Sequence, residues 1–228
     1  TEAEYEAGLT TMFDENAFGD AGAKVSVEDC LIGEELSVFA VCDGDDYVIL
    51  NTAQDHKRAY DCDKGPNTGG MGAYSPTPLS TDDIMEKTKS TIIEPTLKAM
   101  RDAGHPFVGF LYVGLMIVDG EPFVIEFNVR MGDPETQVVL PLLESSFFEL
   151  LWNATHEKIK DSKVKISTKT AVTVVLAAEG YPGSYPKGME ISGLNSDSLI
   201  FHAGTKKVGD KITTSGGRVL NVVGFGDD

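Results

Sequence analysis

The chain has 228 residues, 41% of them apolar, enough to bury a full core in one large or two small domains. Its 36 acidic residues against 19 basic ones give a formal charge of −17, which repels nucleic acid and anionic membranes and argues against either as a partner. An anionic substrate would need local Lys or Arg, or a bound Mg²⁺, to overcome that field. Cys30, Cys42 and Cys62 form no CxxC pair, and no apolar run reaches roughly 18 residues. A soluble protein without disulfides or a thiolate zinc site is expected, in the cytoplasm.

The chain opens on a helical pattern, Tyr5, Leu9, Met12 and Phe13, that ends near Asn16. Short strands are predicted at Lys24 to Val27, Leu36 to Cys42 and Tyr47 to Leu50, the last two joined by the acidic turn DGDD as part of a small antiparallel meander. Next comes GPNTGGMGAYSP, from Gly65 to Pro76, with too many glycines and prolines for a helix or an interior strand. It reads as a surface turn or as a loop closing on an anionic ligand, with QDHKR just upstream. Thr81 can cap a helix with Asp82 and Asp83 in its first turn, running toward Gly104 and divided at Pro95.

GFLYVGLMIV and PFVIEFNV are strand-like, joined by a tight hairpin with Asp119-Gly120 at its tip. In SSFFELLWNATHEKI, Ser145 or Ser146 caps a helix whose face of Phe148, Leu151 and Trp152 is expected to pack in the core. KDSKVKISTK reads as a linker. The strands AVTVVLAAE, SLIFHAGTKKV and GRVLNVVGFG follow, with turns at Val208 to Lys211 and Thr214 to Gly217.

The sharpest local pattern is VIEFNVRMGDPE, residues 124 to 135. Period-two alternation puts Glu126, Asn128 and Arg130 on one strand face and Ile125, Phe127 and Val129 on the other, toward a core. A carboxylate and an amide oxygen two residues apart make a hard oxygen pair for Mg²⁺, and Arg130 can grip a phosphate or carboxylate in bidentate fashion. The competing reading is a solvated face with Arg130 paired to Glu126. In VEDCLIGEE, Val27 to Glu35, a carboxylate could accept ribose hydroxyls and the backbone could meet an adenine edge, but an acid-tipped hairpin explains it equally. His56 of QDHKR is either a general base or one member of a surface ion-pair cluster. The sequence has no Walker loop, GxGxxG, nucleophile elbow or HExxH.

Taken in order, QDHKR, GPNTGGMGAYSP and EFNVRMGDPETQVVLPLL strongly resemble the phosphoribosylamine-glycine ligases (glycinamide ribonucleotide synthetases) of the ATP-grasp superfamily. NAFGDAGAKVSVEDCLIGEELSV resembles the family's nucleotide-binding part, and GYPGSYPKG, FHAGTK and GGRVLNVVG its C-terminal domain. The resemblance implies an α+β fold, a partial ATP-grasp with a small C-terminal β-rich domain. The expected divisions are a partial nucleotide lid at 1–50, a catalytic and metal-binding part at 51–160, and an incomplete β-rich domain at 161–228.

The implied reaction joins glycine to 5-phosphoribosylamine with ATP, giving glycinamide ribonucleotide, ADP and phosphate through a glycyl phosphate, in de novo purine synthesis. Carried over by motif, Glu126 and Asn128 are the expected ligands of Mg²⁺ (or Mn²⁺). Glu28, Asp29, Cys30, Leu31 and Glu35 are expected at the nucleotide. Asp55, Lys57, Arg58, Asn67, Thr68, Gly69, Gly70 and Met71 belong to the substrate side, with Arg130 and Asp133 beside the reacting carboxylate. VGLMI lacks the acidic metal ligand that many ATP-grasp enzymes carry on the preceding strand, Cys30 replaces a bulkier apolar residue, and Met131 stands where Phe is usual. The family also has an N-terminal domain and a lysine-bearing nucleotide segment before the point where this chain begins, so the chain alone is expected to be inactive as a ligase. A monomer is the expected state. The alternatives are a non-catalytic nucleotide-binding module or an ATP-grasp ligase with a different amine acceptor.

Overall fold

The computed structural model describes residues 1–62 and 64–227, which fall into two compact units, Thr1–Ile32 and Gly33–Asp228. In the first unit, α1 (Glu2–Leu9) begins in a capping box: Thr1 Oγ1 accepts from the Glu4 amide at 3.4 Å and donates to the Glu4 carboxylate at 2.7 Å. A wide π-type turn, Thr10–Asp14, and a 3₁₀ turn, Gly19–Ala23, follow. The strand expected at Lys24 to Val27 does not form. This unit offers no second strand to pair with, and Val27 is 72% exposed.

Among its described residues the second unit has twelve strands. β1 (Glu34–Asp43), β2 (Tyr47–Asp55), β3 (Arg58–Tyr60), β4 (Lys64–Asn67) and β5 (Gly72–Ser75) come first. After α2 (Asp82–Thr88) and α3 (Glu94–Asp102) come β6 (Val108–Val118) and β7 (Glu121–Asn128). Then α4 (Thr136–Val139) and α5 (Phe147–Ala154) lead to β8 (Thr170–Ala177), β9 (Leu199–His202), β10 (Thr205–Val208), β11 (Lys211–Thr214) and β12 (Arg218–Gly226). Eight strands form one antiparallel sheet in the order β7-β6-β1-β2-β5-β8-β12-β9, and β3-β4 and β10-β11 are separate ribbons. The expected boundary at 50/51 falls inside β2, and the sheet continues past 160/161 into β8 and β12.

β1 is buried almost end to end because helices cover both of its faces. Leu36, Val38, Ala40 and Cys42 meet Ile84, Ile93 and Leu97 of the α2–α3 layer, while Phe39 and Val41 meet Val138, Leu142 and Leu150 on the other side. Burial pushes the Cys42 thiol up to about 12, so it stays protonated as a core filler. Asp43 closes the β1–β2 hairpin: Oδ1 accepts from the Asp46 amide at 2.8 Å, and Oδ2 reaches the Ile159 amide at 2.9 Å. At the β6–β7 tip, Asp119 and Gly120 both take positive φ (51° and 78°), as a tight two-residue hairpin requires. Pro95 lies in the first turn of α3, just after a π-type turn at Lys89–Ile93, and divides the helix as expected. Among the described residues no helix is long and apolar enough to cross a membrane.

Three expectations need correction. GPNTGGMGAYSP holds two strands, and one of them, β5, is interior, between β2 and β8. Its glycine is what permits this: a Cβ on Gly72 would lie 2.7 Å from the Thr173 carbonyl oxygen. In α5, Ser146 is the cap, but the packed face is Phe147, Leu150, Leu151 and Ala154, leaving Trp152 53% exposed. Ile125 and Phe127 of β7 and Val129 just beyond it do not pack in the core; β7 is an edge strand, and all three are exposed.

Replacing Gly72 with Ala should cost about 1–3 kcal/mol of unfolding free energy by overpacking against the Thr173 carbonyl. Gly224→Ala on β12, where a Cβ meets nothing within 4 Å, should be nearly neutral. Chemical denaturation of the two variants checks the contrast, and equal effects would refute it.

Candidate functional site

Two cavities adjoin in the second unit and share Asp55 and Lys57. The larger, about 400 Å³, lies between the ends of β1, β2 and β6 and the β3–β4 ribbon, where Glu35, Gln54, His56, Arg58, Asn67 and Met116 join the shared pair. The smaller, about 190 Å³, is walled by Thr68 and Gly69, by Tyr112, by Glu126, Asn128 and Arg130, and by Asp133 and Glu135.

Backbone pairing brings the motifs together. The Lys57 carbonyl accepts from the Thr68 amide at 2.7 Å and from Thr68 Oγ1 at 2.8 Å, the His56 carbonyl accepts from the Met71 amide at 2.7 Å, and the His56 amide donates to the Gly72 carbonyl at 2.9 Å. QDHKR and NTGGMG thus run side by side, and Arg58 Nη1 secures the ribbon by donating to the Gly65 carbonyl at 2.8 Å. On β7, Glu126 and Asn128 project into the small cavity. A bulge opposite Gly114 and Leu115 leaves Ile125 unpaired, and a Cβ on Gly114 would press on Glu126 Cγ at 3.2 Å.

The shared wall sets the electrostatics. Lys57 Nζ pairs with the Glu35 carboxylate. Burial pulls the Lys57 ammonium down, but Glu35, Asp55 and Glu126 together outweigh it and hold the group above its ordinary value, so it stays charged. Burial pushes the Asp55 carboxyl up against the pull of Lys57, and among the described residues Asp55 Oδ1 has no hydrogen-bond partner. Glu135 is raised to about 7, first by burial and then by the charge of Asp55. Ser37 Oγ donates to Glu135 Oε1 at 3.4 Å and lies 3.1 Å from Tyr112 Oη. Burial and the Glu135 charge also push the Tyr112 hydroxyl up, so it remains a phenol.

Glu35, Asp55, Lys57, Arg58, Asn67, Thr68, Gly69, Glu126, Asn128, Arg130 and Asp133 therefore line one or the other cavity. Gly70 and Met71 are in the same turn but line neither. Glu28, Asp29, Cys30 and Leu31 belong to the first unit, outside any helix or strand, the first three exposed. Arg130 does not pair with Glu126; its Nη1 donates to the Met131 carbonyl at 3.0 Å, and Asn128 Nδ2 donates to Glu126 Oε1 at 3.1 Å. Among the described residues the Asn128 amide oxygen and the second Glu126 oxygen have no hydrogen-bond partner, and both are hard donors of the kind Mg²⁺ takes. Among the described residues no group of three His, Cys, Asp or Glu side chains forms a metal cage.

Sequence reasoning missed Gln54, Met116, Tyr112 and Glu135 and left His56 undecided. Glu135 stands at the end of VIEFNVRMGDPE, and Tyr112 is the cross-strand neighbour of Asn128, a relation visible only once the register is known.

Residues 1–136 match the family described as phosphoribosylglycinamide synthetase, ATP-grasp (A) domain, and residues 171–228 match the C domain of the same synthetase. The chain belongs to the phosphoribosylglycinamide synthetase family. The phosphoribosylamine–glycine ligase of Leptospira interrogans is 48% identical over 229 residues, covering 98% of this chain and 53% of that protein. The trifunctional purine biosynthetic protein adenosine-3 of Gallus gallus is 46% identical over 225 residues, covering 96% of this chain and 22% of that one. The crystal structure of phosphoribosylamine–glycine ligase from Thermotoga maritima superposes with a TM-score of 0.81 at 42% identity, over 88% of this chain and 50% of that one. The chain spans about half the length of the single-function synthetase-family relatives it matches. The fold is the family's α+β ATP-grasp with a β-rich C-terminal part, and every residue lining the two cavities falls within the stretch matched to the ATP-grasp domain.

Glu135 makes stability depend on pH in a defined direction. Its folded value, about 7, lies above the ordinary 4.5, so between those limits the folded chain holds a proton that the unfolded chain releases. Stability falls as pH rises through that window. In Glu135→Gln, the loss of unfolding free energy between pH 5 and pH 8 should shrink by up to about 3 kcal/mol. Urea unfolding at the two pH values measures it, and equal losses in both proteins would refute the assignment.

Proposed function

We propose that this chain carries the catalytic part of a phosphoribosylamine–glycine ligase, which joins glycine to 5-phosphoribosylamine at the expense of ATP in de novo purine synthesis. The observation that carries this reading is the meeting of the QDHKR–NTGGMG ribbon and the Glu126/Asn128 strand at one wall, Asp55 and Lys57. The motif that distinguishes these ligases within the ATP-grasp superfamily thereby adjoins the one that the superfamily shares.

The chemistry needs no protein nucleophile. A glycine carboxylate oxygen bonds to the terminal phosphorus as the bond to ADP breaks. The substrate amine then bonds to the activated carbonyl carbon and loses a proton, and phosphate leaves. The chain's part is positioning and charge compensation. Glu126 and the Asn128 amide oxygen would hold Mg²⁺ or Mn²⁺, which when bound supplies positive charge at the phosphates. Arg130, exposed and bonded to the neighbouring Met131 carbonyl, offers its fork to the glycine carboxylate. Lys57 keeps one permanent positive charge at the shared wall, and Asp55 Oδ1, unpartnered and buried, accepts an N–H from the amine.

MgADP should raise the melting temperature of the chain more than ADP with EDTA does, and Glu126→Ala should remove that difference. A metal effect that persists in the variant would move the metal elsewhere. The reaction itself is tested by grafting residues 34–226 in place of the matching segment of the Leptospira interrogans relative. ADP release that requires both glycine and 5-phosphoribosylamine is expected; dependence on a different amine would replace the reading with another ATP-grasp ligation, and no turnover would favour a binding module.

A further inference from the structure

Arg218 opens β12, in the stretch matched to the C domain, yet its guanidinium lies among the loops of the small cavity. Nη1 donates to the carbonyl oxygens of Gly69 at 2.6 Å and Asp133 at 2.7 Å, with the Gly70 carbonyl at 3.4 Å. Nη2 meets the Asp133 carboxylate at 3.3 Å. From the same stretch, Tyr181 Oη accepts the Gly69 amide at 3.2 Å. Carbonyl oxygens from two separate turns repel one another unless a cation stands between them; here one nitrogen, Nη1, bridges the two turns, and Nη2 adds the Asp133 carboxylate.

The fit is reciprocal. A Cβ on Gly69 would lie 2.9 Å from Arg218 Cζ and Nη2, and one on Gly70, whose φ is +108°, would lie 2.5 Å from Pro134 Cδ. The adjacent glycines therefore admit Arg218 and Pro134, where the sequence suggested a close approach to a ligand. Asp133, expected beside the reacting carboxylate, has its own carboxylate engaged by Arg218 and by Gln137 Nε2 at 2.8 Å.

We propose that Arg218 is a positioning residue: it ties the Thr68–Gly70 turn to the Asp133 turn and so sets the width of the small cavity from the C-terminal strand. The catalytic consequence rests on the ligase reading; the clamp itself does not.

Hydrogen exchange on the chain decides the clamp. The Met71 amide, bonded to the His56 carbonyl, and the Thr136 amide, bonded to the Gly132 carbonyl, report one turn each. Arg218→Ala should speed exchange at both, by about tenfold, as expected for losing hydrogen bonds to a charged group. Arg218→Lys keeps the charge, but its ammonium ends about one bond short of the Nη1 position and does not span both turns; it should match the wild-type melting temperature and still loosen both amides. Acceleration at one turn or at neither, or wild-type exchange in the Lys variant, overturns the proposal.

In the graft, Arg218→Lys should lower kcat by about tenfold or more while the KM for MgATP stays within about twofold, a split that general destabilisation would not produce. An unchanged kcat overturns the positioning role. A graft inactive with Arg218 intact defeats the ligase reading instead, and leaves the exchange result to judge the clamp.

Discussion

The backbone ladder of the large sheet narrows to four residues at one point. β5 pairs with β2 only through Gln54 and Asp55 on one side, and with β8 along its whole length on the other. One core runs beneath this seam, from Phe39, Val41, Leu50 and Ala53 through Ala73 to Ala171 and Val223, so packing joins the two sides where the ladder is narrowest. The site is built at the seam's end. β2 stops at Asp55, QDHKR turns out from the sheet, and the Gly-rich turn re-enters it as β5. The same backbone hydrogen bonds that close the sheet therefore set the spacing of Lys57 and Thr68.

The second constraint is charge. A chain of formal charge −17 places one ammonium, Lys57, among Glu35, Asp55 and Glu126, and then buries one more carboxyl, Glu135, nearby. Burial raises the cost of each negative charge, and the shared lysine offsets only part of it. The result is an acidic wall in which Asp55 and Glu135 hold protons more tightly than exposed carboxyls do. Net charge governs long-range encounter, whereas this wall governs what can be held within a few ångströms.

Much of this was legible in the sequence. Period-two alternation located Glu126 and Asn128, the Asp119-Gly120 tip announced its hairpin, and the order of three long motifs indicated the family. What escaped depends on partners that only the tertiary fold supplies. FFELLW is apolar enough that two helical faces satisfy the spacing, and only the shape of the neighbouring core selects Leu150 over Trp152. Local pattern could not reveal that Gly72 sits in an interior strand, because the reason, the Thr173 carbonyl, is about a hundred residues away. Arg218 was visible as a letter in GGRVLNVVG, but its role lies in a contact across 149 positions.

The helix face that the core rejected carries a practical consequence. Phe148, Trp152 and His156 stack along the outside of α5, with the indole and imidazole centroids 4.1 Å apart and tilted by 22°. Trp152 is the sole tryptophan of the chain, so its intrinsic fluorescence originates on a solvated helix surface beside a titratable ring. The emission will answer to fraying of that one helix. The melting of the sheet must be followed by circular dichroism or by the tyrosines instead.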